Sequence, residues 1–259
     1  MLVNAYPAIR GTVVPLAWPW TLQRHRRPGA ELMVSLPFQD RDDAARQLAA
    51  ALVHHRGNHP VVLAIPRGAV PMGRLVADAL DGELDVVLVR KLGAPYDPEF
   101  AIGAVDESGA VTRSGHAALA GASEGYVQRE AESQLALIRE RRARYRPGQP
   151  AIPLGGRTVI VLDDGLATGA TMLAALKAVR AHGPSWLVCA VPVAAADSLA
   201  QVAPFADEVV CLAKPWPFMA VGQHYRDFAG VTDAQVVELL ARPAARSALL
   251  PNAAAASKR

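Results

Sequence analysis

Short, strongly apolar runs recur along this chain, and each is followed by a stretch with helical character. VVLAI (61–65), LDVVLV (84–89), VIVL (159–162), WLVCAVPV (186–193) and EVVCLA (208–213) are rich in β-branched residues. Strands that stay apolar on successive positions are covered on both faces, whereas a half-exposed strand alternates. These runs therefore predict an α/β fold, a mostly parallel sheet with helices on both faces. The helices are expected over 40–55, 74–80, 123–145, from Met172 to a stop at Gly183, near 197–202, and over 232–241. Ligands of such sheets gather beyond the carboxyl ends of the strands. Three of those ends carry chemistry-bearing residues: Arg67-Gly68, Arg90-Lys91 and Asp163-Asp164.

The third end is the most informative. Residues 159–171 read VIVLDDGLATGAT: a buried strand, two adjacent carboxylates, a small hydroxylated turn and the start of a helix. A helix start offers unpaired backbone N–H groups and the positive end of a dipole to an anion. Thr168 and Thr171 add hydroxyl donors, and Gly169 lets a phosphate approach the backbone with no Cβ in the way. Asp163 and Asp164 can accept bonds from two neighbouring hydroxyls or hold a hydrated Mg²⁺ through oxygen. The pattern is that of a sugar-phosphate site. It is not a nucleotide P-loop, which needs GxxxxGK[ST], nor a dinucleotide fingerprint, which needs GxGxxG. The plain alternative is a polar strand-to-helix loop in which Thr168 is only a cap.

On these residues the chain resembles the type I phosphoribosyltransferase family. DDGLATGAT is similar to its loop for 5-phosphoribosyl-1-pyrophosphate (PRPP): two acidic residues, three variable ones, then T-G-x-T. The resemblance implies a Rossmann-like sheet with a flexible hairpin lid, spanning residues 33–242. Asp163 and Asp164 would bind the ribose hydroxyls and, directly or through water, Mg²⁺. Ala167, Thr168, Gly169, Ala170 and Thr171 would cradle the 5′-phosphate. Arg67 and Gly68 in IPRGAV correspond to the pyrophosphate loop, and Arg90-Lys91 opens the segment corresponding to the lid, with Gly93, Pro95 and Pro98 as stiff or permissive joints. Asp163, Asp164, Lys91 and Arg67 would then form the catalytic set. The implied reaction is displacement of pyrophosphate from Mg²⁺-bound PRPP by a nitrogen nucleophile, a pentosyl transfer to a nucleobase-like acceptor. Two positions depart from the family pattern. Gly165 stands where a branched apolar residue is usual. Ala167 stands where purine salvage members carry an aspartate that handles a base proton, which weakens the case for hypoxanthine or guanine.

Past the last strand, KPWPFMAVGQHYRDF offers Trp216, Phe218 and Tyr225 as stacking faces for a flat acceptor, or as a hydrophobic cover on the sheet edge. Glu99 and Asp106 are carboxylates in the lid segment with no assigned role. Two other classes stay open: a regulator that binds PRPP or a nucleotide without chemistry, and a hydrolase or phosphorylase acting on a ribosyl phosphate.

Composition sets the remaining bounds. At 51% hydrophobic and 20% charged residues, the chain can bury a full core. The formal net charge of +3 is carried by residues 1–32, where Arg10, Arg24, Arg26 and Arg27 face Glu31 alone, so nucleic acid is not an expected partner. Residues 1–32, with four prolines and no periodicity, are expected to be a disordered extension, and 243–259 a frayed tail. Cys189 and Cys211 sit inside apolar strands as small core residues, and the histidines show no metal-ligand spacing such as HxxxH. No run reaches the roughly 20 apolar residues of a membrane span, so a cytoplasmic protein is expected. The cationic end of the 123–145 helix (Arg139, Arg141, Arg142, Arg144, with Arg146) is expected to be a solvated face. The oligomeric state stays open, a homodimer being one option.

Overall fold

A computed structural model describes residues 35–97, 100–113 and 120–243; the predicted extension 1–32 and all but the first residue of the predicted tail 243–259 fall outside this range, as do Pro98 and Glu99. Five strands form one parallel sheet. They are β1 (Val61–Ala64), β2 (Glu83–Val86), β6 (Thr158–Leu162), β7 (Trp186–Val193) and β8 (Glu208–Ala213), in the order β2-β1-β6-β7-β8. Val61 is in register with both Glu83 and Val159, and Thr158 with Trp186. Successive residues feed opposite faces. Val62, Ala64, Ile160 and Leu162 enter one core, whereas Val61, Leu63, Val159 and Val161 enter the other. That two-sided burial is why β1 and the 159–162 stretch of β6 are wholly apolar.

The first face is covered by α1 (Arg41–Ala51), α2 (Ala69–Ala79), α3 (Glu124–Tyr145) and α6 (Asp233–Ala241). The second is covered chiefly by α4 (Ala170–Ala181), with Val202 at the end of α5 (Ala196–Val202). Asp40 caps α1, Ser123 caps α3, and Thr232 closes a capping box with Gln235 on α6, as short polar residues before helical runs should. Among the described residues no helix is long and apolar enough to cross a membrane.

Two expectations need correction. The predicted strand 84–89 is two strands. β2 ends at Val86, and β3 (Val89–Gly93) starts a separate antiparallel sheet with β4 (Ala101–Asp106) and β5 (Val111–Arg113). Arg90 and Lys91 therefore sit inside a hairpin strand, paired with Val105 and Ala104, rather than at a carboxyl end of the main sheet. The helix expected from Arg74 begins at Ala69. Pro71 falls in its first turn, where the missing N–H has no intrahelical partner to lose. Gly73 lets that helix lie on the sheet, since a Cβ there would meet Leu84 Cδ1 at 2.8 Å.

The hairpin is anchored through Leu92, Ile102 and Val105, all buried, and Tyr126 of α3 donates to the Gly93 carbonyl at 3.0 Å. Asp106 plays a structural part. Its Oδ1 accepts from Ser108 N, Ser108 Oγ and Ala110 N, closing the β4–β5 turn. The solvated-face expectation for α3 holds only in part. Arg139, Arg141 and Arg144 are exposed, but Arg142 grips the buried Asp85 of β2 at 2.8 and 3.0 Å, and Arg146 adds a bond at 3.1 Å.

Candidate functional site

β6 ends at Leu162, so Asp163 and Asp164 emerge at the carboxyl edge between the central strands. The loop then passes through Gly165 to α4. Gly165 is required by packing: a Cβ would stand 2.6 Å from Val221 Cγ1 and 3.0 Å from Val193 Cγ2. Val221 thus fills the space that a branched residue at 165 would take, which accounts for that departure from the family pattern. Gly169 is the N-cap of α4 at φ +73°, a left-handed conformation that glycine adopts freely. No side chain caps this helix, so Thr168 is not a simple cap. Ala167, Thr168, Ala170 and Thr171 are exposed around the open helix start. The Ala167 carbonyl is pinned by Ser198 Oγ at 2.6 Å, a buried residue that fixes the loop from α5.

The acidic pair is tightly framed. Asp163 Oδ1 accepts from the Asp164 backbone N–H at 2.9 Å. Asp164 Oδ2 accepts from Arg41 Nε at 2.9 Å and lies 2.8 Å from Nη2. The Arg41 guanidinium also lies 3.7 Å from the centroid of the Phe228 ring and donates to the Ala229 carbonyl at 2.7 Å. Burial and the Asp164 charge raise Asp163 well above the ordinary carboxylate range. Burial also raises Asp164, with the Arg41 hydrogen bonds and charge opposing it. Two largely covered carboxylates side by side are a site that favours added positive charge or hydroxyl donors.

The Pro66-Arg67-Gly68 turn touches this pair directly: a Cβ on Gly68 would fall 2.1 Å from Asp164 Oδ2. Pro66, Arg90, Arg141 and Thr171 line one small cavity of about 50 Å³, so the first strand end, the hairpin and the α4 start converge on it. Arg90 Nε donates to Gln134 of α3. Arg67 is half-exposed and reaches 3.8 Å from Asp233 at the start of α6, while Lys91 is exposed on β3. A larger cavity of about 250 Å³, walled by β2, α4 and residues 151–154, contains none of the candidate site residues.

The aromatic trio does not assemble. Trp216 is 91% exposed, Phe218 packs on His224 at 4.8 Å, and Tyr225 is buried and donates to the Asp164 carbonyl at 2.6 Å. Tyr225 is therefore a support for the acidic loop, not an open stacking face. Sequence reasoning missed Arg41, Ser198, Val221 and Phe228. Each acts across a long stretch of chain, and no local pattern marks it.

Fold and site together define an α/β protein with a helix start that no side chain caps and a carboxylate pair at the carboxyl edge of a parallel sheet. The chain belongs to the phosphoribosyl transferase domain family, whose model matches residues 38–225. It is 47% identical over 211 residues to a Mycobacterium tuberculosis H37Rv protein provisionally named a phosphoribosyl transferase, Rv0571c. That match covers 79% of this chain and 46% of the relative, so the chain spans about half the length of the curated relatives it matches. The crystal structure of TT1426 from Thermus thermophilus is 46% identical, with a TM-score of 0.73 over 79% of this chain and 98% of that one.

Proposed function

We propose that this chain transfers a phosphoribosyl group from Mg²⁺–PRPP to a nitrogenous acceptor, releasing pyrophosphate. The observation that carries the reading is the contact of three parts: an uncapped α4 start, two adjacent carboxylates, and the Gly68 turn packed against the second of them. The 5′-phosphate is assigned to residues 167–171, where first-turn N–H groups and the dipole favour an anion. The ribose diol is assigned to Asp163 and Asp164. The pyrophosphate is assigned to the backbone of the 66–68 turn, with Arg67, Arg90 and Lys91 supplying charge.

The carboxylate pair fits Mg²⁺. Its donors are hard oxygens, and a divalent cation would offset the burial that raises both groups and the Asp164 charge that adds to it at Asp163. When bound, the ion would neutralise charge on the donor's phosphates. The chain's own work is electrostatic. As the C1–oxygen bond breaks, an oxocarbenium-like sugar is stabilised by nearby carboxylate charge and the departing pyrophosphate by the cations. No nucleophilic side chain is needed. Closure over the reacting sugar is assigned to the tip of the β3–β4 hairpin, where Tyr96 is 93% exposed, because the hairpin's body is packed in the core. The acceptor is assigned to the side of the acidic pair where Phe228 lies, its ring against the Arg41 guanidinium that contacts Asp164.

The test is pyrophosphate release from Mg²⁺–PRPP across a panel of nucleobases, paired with calorimetric PRPP binding. Asp163→Asn with Asp164→Asn should abolish both and leave the circular dichroism spectrum intact. Full turnover in that variant refutes the assignment. PRPP binding with no pyrophosphate release under any acceptor favours the non-catalytic regulator, and release without an acceptor favours a hydrolase.

A further inference from the structure

A second cluster of ligand-type side chains lies at the opposite edge of the sheet, among residues the proposed transfer does not use. Glu208 is the first residue of β8 and Trp186 the first of β7, so both mark the amino-terminal edge, away from Asp163 and Asp164. α1 packs against these two strands and ends in a 3-10 turn, Val53–His55. That turn presents both histidines to one carboxylate. His54 Nε2 lies 3.0 Å from Glu208 Oε1, and His55 Nε2 lies 3.0 Å from Oε2. The two rings are 4.2 Å apart at 42°, and one ligand atom from each of the three residues falls within 4.8 Å of the others.

We propose that His54, His55 and Glu208 bind a divalent transition cation of the zinc class, with its fourth position open to solvent. Two imidazoles and a carboxylate are a borderline donor set that suits zinc and its neighbours, in contrast to the all-oxygen pair at the other edge. Ligand bonds of about 2.0–2.2 Å in a tetrahedron set neighbouring ligand atoms about 3.3 Å apart. The two 3.0 Å contacts go to different oxygens of Glu208, so the carboxylate must turn to offer one oxygen to both imidazoles; one ligand atom from each residue already lies within 4.8 Å of the other two. The ligands stand on regular elements: His55 is buried on the turn that ends α1, and Glu208 is held at a strand start. Trp186 Nε1 donates to Glu208 Oε2 at 3.3 Å, an outer hydrogen bond of the kind that orients a metal-bound carboxylate. His54 is the exposed member, and the fourth position opens on its side. Bound there, the cation clips the end of α1 to the floor of the sheet. The proposal stands apart from the phosphoribosyl reading.

The test uses the full chain, stripped with a chelator and titrated with Zn²⁺ by calorimetry and with Co²⁺ by visible absorption. One Zn²⁺ per chain, tetrahedral-type Co²⁺ bands and a rise in melting temperature with Zn²⁺ are expected. His54→Ala, at an exposed position that leaves folding intact, and Glu208→Gln should each weaken Zn²⁺ binding by more than the roughly 10–100-fold that loss of an outer partner costs. Both should cancel the thermal shift. Asp163→Asn with Asp164→Asn should leave Zn²⁺ binding unchanged. The site is refuted by unsaturable binding, by variants that bind like the parent, or by Zn²⁺ that disappears only when the aspartates are replaced. In each of those cases His54, His55 and Glu208 form a plain hydrogen-bonded clip.

Discussion

Arg41 lies directly on the acidic pair, and replacing it exposes how that pair is held. Arg41→Met keeps much of the apolar stem and removes the charge. The side chains of Arg41 and Asp164 are 13% and 16% exposed, so solvent screens the interaction only partly. Removing one partner of such a pair costs about 3–5 kcal/mol, because the remaining charge stays buried. For a domain of this size that corresponds to a melting temperature lower by about 6–20 °C. The pH dependence gives the sign. Asp164 is raised in the folded state even with Arg41 present. A carboxyl raised on folding binds more protons in the native state, so stability falls as pH rises from the unfolded pKa through the folded one. Without Arg41 the folded value rises further and the loss extends to higher pH. The variant should therefore be most destabilised near neutrality and approach the parent on acidification. Adding Asp164→Asn to Arg41→Met should recover stability, since an amide leaves no buried charge. Melting curves from about pH 4 to pH 8 on the four chains of this cycle provide the measurement. A pH-independent deficit, or no recovery in the double variant, refutes the reasoning.

Gly68→Ala should weaken Mg²⁺–PRPP binding at least about tenfold by calorimetry, because its Cβ would meet Asp164 Oδ2 at 2.1 Å and force that carboxylate away. Gly169→Ala places a side chain at φ +73° and 3.2 Å from Val202 Cγ1; a loss of about 1–3 kcal/mol in chemical denaturation and weaker phosphate binding are expected. Asp85→Asn strips the buried partner of Arg142 and Arg146 and should cost about 3–5 kcal/mol in the same assay, with PRPP affinity little changed.

The local code of the fold is plain in the sequence. Strands 186–193 and 208–213 appear at their predicted bounds. Two-sided burial removes polar positions from the first after Trp186, and the second is an edge strand, apolar after Glu208, whose residues are all partly covered. Ser123 and Thr232 mark helix starts by capping chemistry. Legibility fails where tertiary packing decides. Nothing local separates Val86 from Val89, yet the chain leaves the main sheet between them to start the hairpin. Pro71 suggests a loop, yet it sits harmlessly in a first helical turn. The acidic pair and the 167–171 turn are contiguous and so are visible in the sequence. The histidine–glutamate cluster is not, because its spacing of more than 150 residues closes only once α1 lies across β8.

That distinction explains how the carboxylate pair keeps its shape. Asp164 receives Arg41 from the first helix, lies against Gly68 from the first strand end, and offers its carbonyl to Tyr225 from beyond the last strand. The remote segments are also joined to one another: Phe38 N–H donates to the His224 carbonyl and Arg226 N–H to the Phe38 carbonyl, both at 2.8 Å. Phe38, Tyr225 and Phe228 stack in series, with ring centroids 5.6 and 4.9 Å apart, and Arg41 covers the outer ring. A two-residue acidic motif is thus gripped by both ends of the domain. Its geometry depends on the closure of the whole sheet, so loosening the Phe38–Tyr225 seam should degrade ligand binding before it unfolds the core. Phe38→Leu tests this: PRPP affinity should fall while far-ultraviolet circular dichroism at room temperature stays unchanged, and unaltered affinity would show that the acidic loop holds its shape unaided.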